Sequence, residues 1–336
     1  MEIGFFYVLS VLLLFGSFFP RRHQLLYLIS SLVILFILSG YRHVNIGTDT
    51  LNYEQFFTYI KAGGGYLTKE PGWMLLNRMI IALSGDFQTL LIATALLVLM
   101  PIFYIARRYS VNPMLTIFLY YAFYFYLQSF NVMRQSIAVA FVLLGLVFLM
   151  KERKIIFFIL VAIASSFHIS ALLCFPLVFV NRIPNMASVM YLTLVGISMF
   201  IGLLLMPVLL NALTSIIGYS QHTDGTIGNM LGNGLYLVIL NSFFAFLLFT
   251  SKDKQGVLFK LFFVFIIIAN LAARIPLGYR LIMCFSIIQV LFLPYYVYNN
   301  KIDKNIGFFV VVIYAYVSFI RAAGDGGILP YYNFLF

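Results

Sequence analysis

Charge is what this sequence has least of. Asp, Glu, Lys and Arg make up 9% of its 336 residues, against 63% hydrophobic ones, whereas soluble domains carry about 25% charged residues. The length would allow two soluble domains, but this composition excludes them, because apolar runs of roughly 18 residues or more read as membrane spans. Cysteine is scarce too. Cys174 and Cys284 both lie inside apolar runs, so neither a disulfide framework nor a thiolate metal site is expected. Also missing are a P-loop, a Rossmann glycine pattern, H-E-x-x-H and G-x-S-x-G. No His, Cys and carboxylate group shows metal-ligand spacing. Nothing points to a nucleotide, a metal or any other cofactor. The net charge is +11, yet no basic face is interleaved with exposed aromatics, so nucleic acid is not an expected partner. Cytoplasmic loops of membrane proteins collect Lys and Arg, and that accounts for the excess.

What is abundant is apolar length. Segments run at 3–19, 25–40, 87–106, 112–130, 131–150, 155–180, 187–217, 235–250, 257–273, 281–298 and 306–321. Helices satisfy their own backbone in lipid, and these runs do not alternate as barrel strands do. The expected fold is all-α: a polytopic helical membrane protein with about 10–12 hydrophobic segments, forming one domain over residues 1–336. The start, M-E-I-G, lacks the basic region and cleavage site of a signal peptide, so 3–19 reads as an anchor.

Basic loops set the orientation. Arg21-Arg22, Arg107-Arg108, K-E-R-K at 151–154, Lys252 with Lys254, and Lys301 with Lys304 are expected inside. The outer side then holds 41–86, the junction near 128–135, 218–234, 274–280 and the tail after 321. Residues 71–84 are short, apolar and broken by Arg78, with both flanks outside, so they read as a re-entrant or interfacial helix. Residues 155–180 lie between K-E-R-K and Arg182. That parity predicts a hairpin turning at S-S-F-H with His168 near its tip; one long span is the alternative.

Sorted this way, most of the ten carboxylates fall on the outer side, and so do Arg42, Arg78, Arg134, Arg274, Arg280 and Arg321. Outer arginines run against the orientation rule, and their planar forks suit phosphate and carboxylate oxygens. The working face is therefore expected outside.

The longest polar passage, Arg42 to Trp73, carries Asp49, Glu54 and Glu70 beside Arg42 and His43. Ionisable groups so near a bilayer are costly unless they act on something polar. In G-T-D-T-x-x-Y (47–53), Asp49 could orient or deprotonate a sugar hydroxyl, with Thr48, Thr50 and Tyr53 as hydrogen-bonding neighbours. A helix N-cap explains the same residues, and the two readings are compatible. In K-E-P-G-W (69–73), Glu70 is a second candidate acid or base. Trp73, the one tryptophan, reads first as an interfacial anchor and second as a sugar-stacking ring.

N-V-M-R-Q (131–135) puts Arg134 and Gln135 at the outer end of a span, where phosphate binding is favoured over a snorkelling arginine. His168, in S-S-F-H-I-S-A-L (165–172), stands evenly between a satisfied core histidine and a titrating site residue. Arg274 and Arg280 flank a Pro/Gly-broken turn with no acidic neighbour, as a diphosphate clamp would; Asp49, Asp224 or Asp325 could instead pair them in the fold. The run Y-Y-A-F-Y-F-Y (120–126) reads as belt and packing.

The ordered set G-Y-R (40–42), G-T-D-T-x-x-Y, E-P-G-W (70–73), M-R-Q (133–135), F-H-x-S-A-L (167–172) and R-I-P-L-G-Y-R (274–280) resembles the EpsG family of Wzy-like bacterial surface polysaccharide polymerases. The resemblance covers most of the chain. It implies a multi-pass enzyme of the inner (cytoplasmic) membrane that joins oligosaccharide repeat units carried on undecaprenyl diphosphate at the outer face. It leaves room for a partner that regulates chain length. Such chemistry does not require a metal: the diphosphate leaves readily, arginines stabilise its growing charge, and one general base serves the acceptor hydroxyl. Asp49 is the favoured base, ahead of Glu70 and His168. The loop at 218–234 reads as a mobile sugar-contact loop but matches no family pattern. A lipid-linked oligosaccharide flippase is the alternative, and it should carry its charges along a central cavity. A membrane acyltransferase would need an early histidine site that neither His23 nor His43 provides.

The orientation is testable by cysteine-accessibility labelling. A cysteine at position 61 should react from outside, and cysteines at 151–154 only from the cytoplasm; the reverse pattern would overturn the arrangement.

Overall fold

The computed structural model describes residues 3–65, 68–206, 232–275, 278–322 and 325–333. Its first half runs α1 (Ile3–Gly16), α2 (Gln24–Gly40), α3 (Thr50–Lys61), α4 (Pro71–Ala82), α5 (Phe87–Tyr109), α6 (Pro113–Ala122), α7 (Phe125–Gln128) and α8 (Met133–Met150). There follow α9 (Lys154–Phe167), a 3₁₀ helix (Ile169–Arg182), α10 (Ser188–Phe200), α11 (Gly232–Thr250), α12 (Val257–Leu271), α13 (Gly278–Ser286), α14 (Gln289–Tyr298) and α15 (Lys304–Ala322). The chain is an all-α membrane protein, with no strand among the described residues. Most of the expected outer loop at 218–234, Asp224 and any bend at Pro207 lie outside the described residues.

Among the described residues, five helical stretches are long and apolar enough to cross a membrane: Arg21–Gly40, Phe87–Tyr109, Met133–Met150, Ser188–Leu205 and Lys304–Ala322. The pair α13 and α14, bent by 42°, makes a sixth if counted as one broken span. Several of the expected full spans are instead short helices of 10–17 residues, among them α1, α6 and α12. Segment 112–130 breaks at Tyr124, which sits at φ 68° in the left-handed region. The aromatic run around it is buried, with Tyr121 and Tyr126 stacked at 5.7 Å. It packs, as its composition suggests.

The loops sort to two ends. At the basic end Arg21 donates to the Arg107 carbonyl at 3.1 Å, and Lys151 lies 4.3 Å over the Tyr109 ring. The Asn181 amide donates to Glu152, and Lys260 donates to the Ile183 carbonyl at 2.7 Å. The Lys301 amide donates to the Thr250 carbonyl at 2.7 Å, and Asn112 reaches both Ser17 and Tyr298. Every basic loop expected inside is thus tied into one ring of contacts. At the opposite end the 40–48 loop meets Gln88, Phe130, Asn131 and residues 326–333.

The segment 154–182 is a hairpin. Helix α9 leaves the basic end, breaks at His168 (φ −154°, ψ 123°), and the 3₁₀ helix returns to Arg182. Fourteen residues of α-helix rise about 21 Å, short of the roughly 30 Å of hydrocarbon. The returning leg buries Ala171, Cys174, Leu177 and Val180. That spacing of three is the 3₁₀ period, which lines one face of a three-residue turn.

Helix α4 comes to meet the hairpin from the opposite end. Pro71 occupies its first turn, where the missing N–H costs nothing. It buries Trp73, Asn77 and Ile80 and leaves Leu75 and Met79 exposed, as suits a short helix lying against lipid. Gly72 lets it approach α9: a Cβ there would run into the Ser166 side chain and come within 3.0 Å of its carbonyl carbon. Gly72→Ala should therefore lower the thermal midpoint in detergent, by overpacking worth about 1–3 kcal/mol. Adding Ser166→Gly should recover most of the loss. An unchanged midpoint for Gly72→Ala alone would show that the two helices can part freely.

Candidate active site

Three segments far apart in sequence meet at one carboxylate. Proline at 71 confines Glu70 to extended backbone (φ −100°, ψ 94°), so its side chain stands at the mouth of α4 rather than within it. Oε1 of Glu70 lies 2.7 Å from His168 Nδ1, and Oε2 is ion-paired with Arg134 Nη1 in the first turn of α8. Thr68 Oγ1 accepts from Arg134 at 3.1 Å and from the Glu70 amide at 3.4 Å. The carboxylate is nearly covered, with 10% of its side chain exposed against 31% for Arg134.

Burial alone would raise the Glu70 carboxyl. The hydrogen bond to His168 and the charges of Arg134 and His168 outweigh it, holding the pKa below the ordinary carboxylate value. Glu70 is thereby a weak base and a strong anchor: it fixes the arginine and the histidine on its two oxygens.

Beside this network opens a cavity of about 280 Å³, lined by Asp49, Asn52, Tyr53, Phe56, Thr68, Trp73 and Arg134. The first four recur at the spacing of one helical face. Asp49 is the N-cap residue of α3, but its side chain makes no capping hydrogen bond. Capping therefore does not occupy the carboxylate, and among the described residues no hydrogen bond or ion pair engages it. Arg134 lies 5.7 Å from the Tyr53 ring centre, and Trp73 packs edge-on against Tyr53 at 5.3 Å. Burial pushes the Tyr53 phenol up despite the arginine, which keeps it a neutral donor. Trp73 is 1% exposed, so it forms the cavity wall and not an open belt at the headgroups.

Other expected site residues take different places. Arg42 is 1% exposed and donates to the Ser39 and Phe130 carbonyls and to Met133 Sδ, which locks the end of α2 onto the start of α8. Thr50 spends its hydroxyl on the Ile46 and Phe130 carbonyls, and Thr48 donates to Asn131 Oδ1 at 3.2 Å. These three hold the Asp49 loop. Gln135 donates to the Arg280 carbonyl, which tethers Arg280 to the turn carrying Arg134. Arg280 is half-buried, and its guanidinium donates to Tyr279 at 3.1 Å. Arg274 is half-buried, with no hydrogen bond or ion pair to these groups among the described residues.

Thr68, Asn52 and Phe56 belong to the site without having been singled out for it; Asn131, expected beside Arg134 and Gln135 at the helix end, instead accepts from Thr48. Asn52 and Phe56 follow from extending the helical period of Asp49 and Tyr53. Thr68 sits in a T-x-E turn, a common local hydrogen-bonding pattern.

Because the Glu70 pKa is depressed, its contribution to stability is complete above the ordinary carboxylate pKa and is lost as pH falls through the lowered value. Glu70→Gln should cost about 1–3 kcal/mol near neutrality. The gap from wild type should hold down to the ordinary carboxylate range and close only below it. Closure while the medium is still near neutral, in pH-dependent thermal unfolding, would contradict the depressed pKa.

No curated protein and no solved structure matches the chain. One family model does, over residues 25–333, a stretch that includes Asp49, the Glu70 network and both halves of the bundle. With its all-helical membrane build and that nearly full-length match, the chain belongs to the EpsG family, which is a family of Wzy-like polymerases.

Proposed function

We propose that this protein is a polysaccharide polymerase that joins oligosaccharide repeat units carried on undecaprenyl diphosphate, at the outer face of the inner membrane. Family membership supports a polymerase-like role in polysaccharide biosynthesis. The observation that carries the finer reading is a carboxylate left unengaged in a polar cavity, beside an arginine held in place by another carboxylate. An unengaged carboxylate keeps all its lone pairs for a substrate hydroxyl.

In the step we infer, the acceptor hydroxyl sits in the Asp49 cavity, oriented by Asn52 and Tyr53. Its proton passes to Asp49 as its oxygen bonds to the anomeric carbon of the donor. The bond from that carbon to the diphosphate oxygen breaks, and the lipid diphosphate leaves with the electron pair. Arg134 and His168, fixed on the two oxygens of Glu70, face the charge that develops there; Arg280 and Arg274 complete the clamp. A cavity of about 280 Å³ suits one or two sugar rings at the reacting end, so the rest of each chain would extend outward. A partner that sets chain length would act on that growing chain.

The test is an assay of purified variants with lipid-linked repeat units. Asp49→Asn should lower the rate by about 10²–10⁴-fold, the usual scale for loss of a general base. Arg134→Lys keeps the charge but loses the planar fork, and it should also lose most activity at normal protein levels. Near wild-type polymerisation by Asp49→Asn would remove Asp49 as the base. Surface polysaccharide from a deletion strain separates the flippase reading: loss of a polymerase leaves single repeat units outside, loss of a flippase leaves none.

A further inference from the structure

We infer that the segment 325–333 is a strap that positions the Asp49 loop, with Gly326, Gly327 and Tyr331 as its positioning residues; this rests on the reading of Asp49 given above. The segment follows α15 and makes no regular strand or long helix. Even so, it is bonded across nearly the whole length of the chain to the loop that ends in Asp49.

The bonds fall in two groups. At one end of the strap, the Gly47 amide donates to the Gly327 carbonyl at 2.9 Å, and the Thr48 amide donates to the Gly326 carbonyl at 3.1 Å. These are the two amides immediately before Asp49. At the other end, the His43 amide donates to the Tyr332 carbonyl at 3.1 Å, and Arg42 and Asn333 form an isolated bridge. The loop 42–48 is thus gripped along its length.

The strap is itself anchored. Tyr331 is 1% exposed, lies edge-on to Phe6 at 5.8 Å, and donates its hydroxyl to the Leu38 carbonyl. Ile328 is buried, and Asn333 donates to the Ile37 carbonyl and to the Tyr331 hydroxyl. The grip is therefore referred to the end of α2, a membrane helix.

Two glycines make the close approach possible. Gly326 and Gly327 sit at φ 79° and 63°, where a side chain is strained. A Cβ on Gly326 would also meet the Asn131 amide nitrogen, and one on Gly327 would come within 3.1 Å of the Thr48 methyl. Across the loop, Gly47 at φ 92° has Asn131 Oδ1, Thr50 Oγ1 and the Phe130 carbonyl within 3.0 Å of where its Cβ would be. The loop is therefore clamped between the 130–131 corner on one side and the strap on the other. Asp49 is the first residue past that clamp, and among the described residues its carboxylate has no bond of its own to hold it. Backbone placement is what aims it.

A carboxylate acting as base must sit within hydrogen-bond reach of its proton, so loosening the strap should affect turnover more than binding. The test uses two full-length variants, Tyr331→Phe, which keeps the packing and loses the hydroxyl's two hydrogen bonds, to Leu38 and from Asn333, and Gly327→Ala. Hydrogen exchange on the purified protein should show peptide 43–50 losing protection in both, by about tenfold or more, while α8 exchanges as in wild type. With lipid-linked repeat units, kcat should fall by roughly 10²-fold in Gly327→Ala and less in Tyr331→Phe, with KM little changed. Unchanged protection of 43–50 in Gly327→Ala would overturn the strap, and so would lost protection with full kcat. If wild type itself polymerised nothing, the proposed function would fall, while the exchange data alone would still decide whether the strap holds the loop.

Discussion

The sharing of one carboxylate between an arginine and a histidine is the constraint on which the half of this molecule opposite the basic loops depends. Glu70, Arg134 and His168 come from the loop before α4, the first turn of a buried helix and the break in a hairpin. A nearly buried carboxylate without partners would be pushed towards its neutral form. With both oxygens engaged it stays charged, and each partner is held in turn. The hairpin tip, α4 and α8 are therefore bound to one another by chemistry as well as by packing. That explains why α4 needs a glycine where it passes Ser166.

The same constraint sets the carboxylates of Glu70 and Asp49 apart. Glu70 is spent on structure and charge placement; Asp49 opens onto the cavity without a partner among the described residues. Two acids of the same stretch thus have opposite environments, one held by two partners and one open to the cavity. Neither role can be assigned from residue type, because both are carboxylates beside cations. It is the number of partners that differs.

Buried polar contacts elsewhere follow the same logic. Arg42 looked like a substrate ligand because it stands in an expected outer loop of a sequence poor in charge. In the fold it is enclosed, and carbonyls at the end of α2 and just past α7, together with a methionine sulfur, accept from its two terminal nitrogens. A buried guanidinium must find acceptors somewhere, and backbone carbonyls at helix ends are orphaned in any case. Its work is to fix the corner against which the Asp49 loop is clamped.

Much of the fold is legible in the chain. Hydrophobic run length and basic loops predict an all-helical membrane bundle with two unlike ends, because lipid leaves backbone groups no other partner. Parity between K-E-R-K and Arg182 predicts the hairpin, and the proline after Glu70 predicts the start of α4. The sequence also singles out Asp49, Glu70, Arg134 and His168, since charged groups are too costly near a bilayer to be incidental. Which of them touch was decided only by tertiary structure. Glu70 and His168 are 98 residues apart, and no local pattern encodes a pairing over that distance. Nor does run length reveal that several segments end early as short helices, because composition fixes affinity for lipid but not where a helix breaks. The strap was the least legible element. Its grip is made largely by backbone groups, which every residue carries, so only the fold could show where they bind.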